Sequence, residues 1–328
     1  MTLIKPFRAL RPAPGRSAEI LAPPYDVLSS AEARERAKGK PWSFLHVSKP
    51  EIDLAPAVDP YSKAVYAKAA DEVTPIASLT KLMTAMVVLD AKLPMDEVLS
   101  IDMDDFDYLK GSHSRLRMGA TLSRGEMLRL ALMSSENRAA SSLARHYPGG
   151  SNAFVAAMNA KAAELGMTRT RFEDPTGLSP NNVSTANDLA LMVGAAANYP
   201  LIRDYTTTPE HFVEVQPSGQ TLGFNNSNAL VKNVAWDIQL QKTGYIREAG
   251  RCVVMLATIA SRPMVIVLLD SLGKYTRLGD AQRVKHWLET GESLPPVAAK
   301  ATAGKAKSKP VKGTFAPKLA STSKARKS

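Results

Sequence analysis

The sequence predicts an α/β body, of the α+β kind, with an inserted all-helical subdomain. Two observations carry this: a series of helix-period segments from about Thr74 to Asn198, and β-branched or alternating segments after Pro200. A short strand around Val65–Lys68 sets strand on both sides of the helices, as when a helical unit interrupts a mainly antiparallel sheet flanked by helices.

In chain order, Met1 to about Asp26 carries Pro6, Pro12, Pro14, Pro23 and Pro24 and reads as extended chain and turns. Ser29 with Glu32 makes a capping-box pattern opening a short charged helix, Ala31–Lys38, stopped by Gly39 and Pro41. After the strand at Val65–Lys68, Thr74-Pro75 reads as a helix start, a hydroxyl N-cap with proline in the first turn. Leu79, Leu82, Met83, Met86, Val87 and Leu89 continue at helical spacing until Pro94. Further helices are expected at Arg124–Met133, Asn137–His146, Asn152–Leu165 and Thr185–Asn198, each with apolar residues three or four apart. Strands follow at Ile238–Ile246, Cys252–Ile259 and Met264–Leu269, the last two joined by a tight Ser261-Arg262-Pro263 turn. An amphipathic helix, Asp280–Glu289, closes the folded part.

Composition bounds the function. The 328 residues allow one large domain with extras, or two domains, and 45% hydrophobic content excludes wholesale disorder. No apolar run approaches the roughly 18 residues of a membrane span. The single cysteine, Cys252, excludes an internal disulfide framework and a cysteine-rich zinc site, and reads as core. His46, His113, His146, His211 and His286 lack ligand spacing, so neither a metal nor a cofactor is expected. The net charge is +11, yet Ser293–Ser328 holds nine Lys/Arg and no acid, which leaves +2 for everything before it. The body therefore has no basic-patch argument for specific nucleic-acid binding. The tail, 293–328, reads as disordered, a solubilising or nonspecific anion-touching segment with only Phe315 for stacking. Arg8, Arg11 and Arg16 interrupt any apolar stretch near the start, so no signal peptide is expected.

Three short strings carry chemistry: Ser78-Leu79-Thr80-Lys81, Ser135-Glu136-Asn137 and Lys242-Thr243-Gly244. The first two patterns are cheap. Ser-x-x-Lys recurs at Ser271–Lys274 and Ser321–Lys324, and Ser-x-Asn at Ser179–Asn181. Placement separates them. Only Ser78 lies in the first turns of an expected helix, where residues i and i+3 share a face and hydroxyl can meet amine. Lys242 lies mid-strand, and the glycine two residues on admits close approach of another chain. The bland readings are that Ser135-Glu136-Asn137 merely caps the next helix and that Lys242 is a solvated strand residue.

Thr74 to Ala85 resembles the nucleophile helix of low-molecular-mass penicillin-binding proteins, the serine-type D-alanyl-D-alanine carboxypeptidases and endopeptidases. Ala131 to Ala140 is similar to their second motif and Lys242-Thr243-Gly244-Tyr245 to their third. Asp174-Pro175-Thr176-Gly177-Leu178 and Ser184-Thr185-Ala186-Asn187-Asp188-Leu189-Ala190 are also typical of the family. The resemblance covers about 65–289 and implies a β-lactamase/transpeptidase-like fold. It also implies peptidoglycan stem peptides as substrates, β-lactams as covalent inhibitors, and a periplasmic or cell-envelope site of action.

The implied chemistry is acyl transfer. Ser78 attacks a D-alanyl carbonyl, and Lys81 acts as base if burial and a nearby cation lower its pKa from about 10.4. Lys242 is that cation, and with Thr243 it holds the substrate carboxylate. Ser135 relays a proton between Lys81 and the leaving amine, and Asn137 fixes the substrate backbone. By the resemblance, the backbone amides of Ser78 and Tyr245 form an oxyanion hole worth about 3 kcal/mol per donor, and Gly244 and Tyr245 join Asn137, Lys242 and Thr243 as substrate-binding residues.

Residues 1–64 resemble instead the start of a bacterial domain of unknown function, through Lys5 to Leu10, Ala22 to Val27 and Phe44 to Asp53. A fusion is expected, with the peptidase domain over 65–292 and the first strand of its opening hairpin missing. A sheet so shortened has an exposed edge and a less firmly held catalytic helix. The rivals are an inactive fusion product and a β-lactamase, the latter disfavoured because no Glu-x-x-Leu-Asn string is present. The short C-terminal extension favours endopeptidase over carboxypeptidase.

Overall fold

The structure, a computed structural model, describes residues 2–5, 66–271 and 276–292. Its main sheet is built from β1 (Thr2–Lys5), β2 (Tyr66–Lys68), β9 (Asp237–Ile246), β10 (Gly250–Ile259) and β11 (Arg262–Ser271). The order across it is β9-β10-β11-β1-β2, and every pairing is antiparallel. β10 and β11 are Val-, Ile- and Leu-rich, and all of Val253–Leu256 and Met264–Leu269 is buried, whereas β9 carries the polar Gln241, Lys242 and Thr243 inward. Such near-continuous apolar runs mark strands covered on both faces.

Helices pack around this sheet and form the inserted unit. They are α1 (Lys81–Asp90), α2 (Arg124–Met133), α3 (Asn137–Arg145), α4 (Gly150–Glu164), α5 (Ala186–Ala196), α6 (Pro200–Thr207) and α7 (Thr276–Thr290). α2 begins at Ser123, whose hydroxyl accepts from the Glu126 backbone N–H, and Glu126 sits favourably in the first turn. α5 begins the same way, Thr185 accepting from Asp188 N, while the Asp188 carboxylate takes Arg169 N and Thr170 Oγ1. The Ser184–Ala190 marker is thus an anchor between α5 and the loop before it. Four short strands complete the described chain besides two at the site: β4 (Val98–Ser100) with β5 (Thr121–Ser123), and β7 (Glu210–Val215) with β8 (Gln220–Asn225). Burying each core Leu or Met of α1 and α2 is worth roughly 1.5–3 kcal/mol, so the helix bearing the second motif is firmly seated.

The α+β class and the helical insertion agree with the sequence reading, and α2 and α3 fall where periodicity puts them. Four details differ. Pro200–Thr207, read as the start of the strand region, is helix α6, opened by Pro200 in its first turn. Thr74-Pro75 is not a helix start but a two-residue strand, β3, paired with β6 (Val183–Ser184). Ile76 N is bonded to Asn182 O, and Ala77 has φ +48°, so helical geometry cannot begin before Ala77. The tight turn between β10 and β11 is Ala260-Ser261, both at positive φ, with Ile259 opposite Arg262; Arg262-Pro263 already lies in β11. Finally, the sheet does not lack a strand. β1, from the far N-terminus, sits between β11 and β2, with Leu3 opposite Val267 on one side and Ala67 on the other. The expected helix Ala31–Lys38, with everything else in 6–65, and the basic tail 293–328 lie outside the described residues. Among the described residues, no helix is long and apolar enough to cross a membrane.

Candidate active site

The nucleophile segment is a 3-10 turn, Ala77–Thr80, running straight into α1. Ala77 is in the left-handed region immediately before Ser78, a conformation that costs a non-glycine residue about 1–3 kcal/mol and persists only where the surroundings impose it. Two glycines impose it. A Cβ on Gly177 would lie 2.0 Å from Ala77 O, and one on Gly244 would lie 3.0 Å from Ile76 O and 3.1 Å from Ser78 N. The backbone around Ser78 is therefore clamped between β9 and the 173–182 loop.

Ser78 is half-buried, and Lys81 Nζ lies 2.9 Å from its Oγ, one helical turn on. Lys81 is fully buried. Its amine also donates to Asn137 Oδ1 and to the Thr176 carbonyl, each at 2.7 Å. Asn137 opens α3 and gives its Nδ2 to Ser112 Oγ at 2.9 Å. Glu136 is the actual cap of α3, accepting from Arg138 N, so capping and site geometry share one string. Ser135 sits between α2 and α3 at φ +64°, which turns its hydroxyl toward β9.

Across the cleft, Lys242 Nζ donates to Ser135 Oγ at 2.8 Å and to Thr243 O at 2.9 Å. Thr243 Oγ1 donates to Ser227 Oγ at 2.7 Å, and Ser227 N is fixed to Met133 O. Lys242 is also fully buried, so it is not the solvated strand residue of the bland reading. Arg277 of α7 reaches Gly244 O at 3.4 Å, and exposed Tyr245 stacks under Arg251. β9 is the edge strand of the sheet, which leaves one side of its backbone toward the cleft.

Burial dominates the electrostatics. It pulls the Lys81 pKa down to about 7, against Asp174 and Glu136, whose negative charges pull it up. Lys242 is held well below the ordinary lysine value by burial, then by the positive charges of Lys81 and Arg277. The pair thus favours one neutral amine, and the one beside Ser78 titrates near neutrality.

Of the eight residues singled out from the sequence, Lys81 meets Ser78 and Asn137, Lys242 meets Ser135 and feels the charge of Lys81, Gly244 lies against Ser78 N, and Thr243 and Tyr245 flank Lys242 and Gly244 on β9. Their links differ from expectation in two respects. Ser135 is bonded to Lys242 rather than Lys81, and Asn137 takes the Lys81 amine. Sequence reasoning missed Ser112, Ser227 and Arg277, and assigned Thr176 no role. Cys252 is buried in β10, its thiol pushed up to about 11 by burial.

A hydroxyl beside a near-neutral lysine, with a second lysine across an edge strand, is the constellation of a serine acyl-transfer enzyme that uses an amine as base. Comparison with known proteins narrows this. Residues 51–273 match the D-alanyl-D-alanine carboxypeptidase family, and the chain belongs to that family. Residues 4–79 also match a protein family of unknown function, overlapping the first match over 51–79. The D-alanyl-D-alanine endopeptidase of Pseudomonas aeruginosa is 56% identical over 240 residues, covering 73% of this chain and 77% of that protein. The D-alanyl-D-alanine endopeptidase of Escherichia coli K12 is 50% identical over 267 residues, covering 80% and 86%. Among solved structures, the Streptomyces K15 DD-transpeptidase superposes with a TM-score of 0.65 at 25% identity, covering 74% of this chain and 95% of that one.

Proposed function

We propose that the protein is a serine-type D,D-peptidase that cleaves D-alanyl bonds of peptidoglycan stem peptides through an acyl-enzyme on Ser78, preferring cross-linked substrates, and that β-lactams acylate the same residue. One observation carries the reading: Lys81 Nζ, with a pKa of about 7, touches Ser78 Oγ and two groups that can only accept. A neutral amine has two N–H groups and one lone pair. Asn137 Oδ1 and Thr176 O take both N–H groups, so the lone pair is left for the Ser78 proton.

Ser78 Oγ attacks the carbonyl carbon and its proton passes to Lys81, while the backbone N–H groups of Ser78 and Tyr245 hold the oxyanion. The C–N bond breaks as the Ser135 hydroxyl gives its proton to the leaving nitrogen. Ser135 is refilled by Lys242, and the proton that Lys81 took from Ser78 recharges Lys242, so each amine ends the step in the state in which it began. Water adds to the ester with Lys81 again as base, and Ser78 is released. The substrate carboxylate lies against Lys242 and Thr243, and its charge restores the ammonium that burial disfavours. The second N–H of Asn137 Nδ2 is left for a substrate carbonyl. Substrate of this kind locates the working enzyme in the periplasm or cell envelope, and we read 65–292 as the peptidase domain.

The test is intact-mass analysis after benzylpenicillin, with digestion of cross-linked muropeptide and pentapeptide in parallel. A single adduct mapping to Ser78, absent from Ser78→Ala, and faster cleavage of the cross-link are expected. A folded protein with no adduct and no cleavage overturns the proposal.

A further inference from the structure

The Asp174–Leu178 marker has no part in the chemistry above except one carbonyl. Its three central residues nevertheless each meet the nucleophile helix. Pro175 O accepts from Thr84 Oγ1 at 2.6 Å, Thr176 O accepts from Lys81 Nζ at 2.7 Å, and Gly177 lies against the Ala77–Ser78 peptide. Lys81 and Thr84 are three residues apart on α1 and share a face, and the Ala77–Ser78 peptide lies in the 3-10 turn just before it. Asp174 shapes this contact. Its Oδ1 accepts from Thr176 N, from Thr176 Oγ1 at 2.6 Å and from Gly177 N at 2.7 Å, and its Oδ2 accepts from Ser179 N at 2.7 Å. Fully buried Asn182 ties the loop down from behind. Its Oδ1 accepts from Glu173 N and Asp174 N, and its Nδ2 donates to Asp174 O and to Thr80 Oγ1.

We infer that Asp174 is a positioning residue for acylation: by gathering the backbone of 176–179 it aims the Thr176 carbonyl at Lys81 and so keeps the amine's lone pair on Ser78. The inference rests on Lys81 being the base. Asp174 acts on Lys81 in a second way, through charge. The charged groups facing Lys81 are Asp174 from this loop, Glu136 from the start of α3 and Lys242 from β9. Of the two carboxylates, Asp174 opposes the lowering of Lys81 more strongly. Without it the amine stays neutral to lower pH.

The experiment measures acylation by a fluorescent penicillin from acid to mildly alkaline pH, with thermal midpoints, for the full chain and for Asp174→Asn and Thr176→Val. Asp174→Asn is expected to acylate about tenfold more slowly at its optimum, equivalent to about 1.4 kcal/mol, with its acid limb moved to lower pH. Thr176→Val removes the hydroxyl that donates to Asp174 and accepts from Leu178 N but keeps the carbonyl and the charge, so it should be a few-fold slower with the limb unmoved. Asp174→Asn that folds and acylates like the wild type, or is slower with an unmoved limb, overturns the inference. Should Asp174→Asn fail to fold, Thr176→Val at the wild-type rate overturns it instead. A wild-type protein that is not acylated sinks the functional reading itself, which is a different outcome.

Discussion

Replacing Gly177 by alanine would insert a methyl group into the peptide that carries the nucleophile. Its Cβ would stand 2.0 Å from Ala77 O, 2.3 Å from Ala77 C and 2.9 Å from Ser78 N, where real Cβ contacts essentially never fall below 3.0 Å. The loop and the 3-10 turn would have to part by about 1 Å, and misplacement on that scale costs roughly 100-fold in rate. Gly177 also sits at φ +83°, which adds about 1–2 kcal/mol for alanine. Together these give a destabilisation of about 2–4 kcal/mol, or a midpoint lower by about 5–15 °C for a domain of this size. Gly244→Ala is the internal standard, because its Cβ would meet nothing closer than 3.0 Å and the neighbours need give only a few tenths of an ångström. It should lose about tenfold in rate with little loss of stability. Penicillin acylation and thermal melts of both variants decide the matter. Gly177→Ala within about threefold of wild type in rate, or less damaging than Gly244→Ala, would refute the clamp.

Three further outcomes follow from other parts of the molecule. Acylation needs neutral Lys81, so its rate should rise with pH through about 7 and level off above; a flat profile across neutrality contradicts this. Asp280, buried on α7 beside Arg283, has its pKa pushed up to about 7 by burial, from 3.8. A carboxyl whose folded pKa is raised loses stability as pH climbs from the unfolded to the folded value, so Asp280→Asn should raise the midpoint at about pH 8 and change little at about pH 4. Deleting residues 1–5 removes β1 from between β11 and β2, at roughly 0.5–1.5 kcal/mol for each ladder bond lost; an unchanged melt would show that β1 carries no stability.

The sequence disclosed whatever rests on local pattern. α2 is legible because its apolar residues recur every three or four positions, and β10 and β11 because their β-branched and apolar runs are long enough to be buried on both faces. Ser78, Lys81, Ser135, Asn137 and Lys242 stand out because their types and order match one chemistry. What stayed hidden depends on partners distant in the chain. Thr74-Pro75 has the composition of a helix cap, but Val183–Ser184 pairs with it as a strand. Ser112 and Ser227 are ordinary hydroxyls until α3 and β9 come beside them. Thr176 contributes only its carbonyl, which no side chain announces, and Leu3-Ile4 became a strand because β11 offered an edge.

The most direct measurement is the titration of the Lys81 side chain itself, by NMR of protein carrying labelled lysine, with its resonance assigned through its loss in Lys81→Arg. The arrangement around Ser78 predicts a midpoint near 7. A midpoint near the ordinary lysine value of about 10.4 would contradict it, for the amine would then be charged when it is needed as a base.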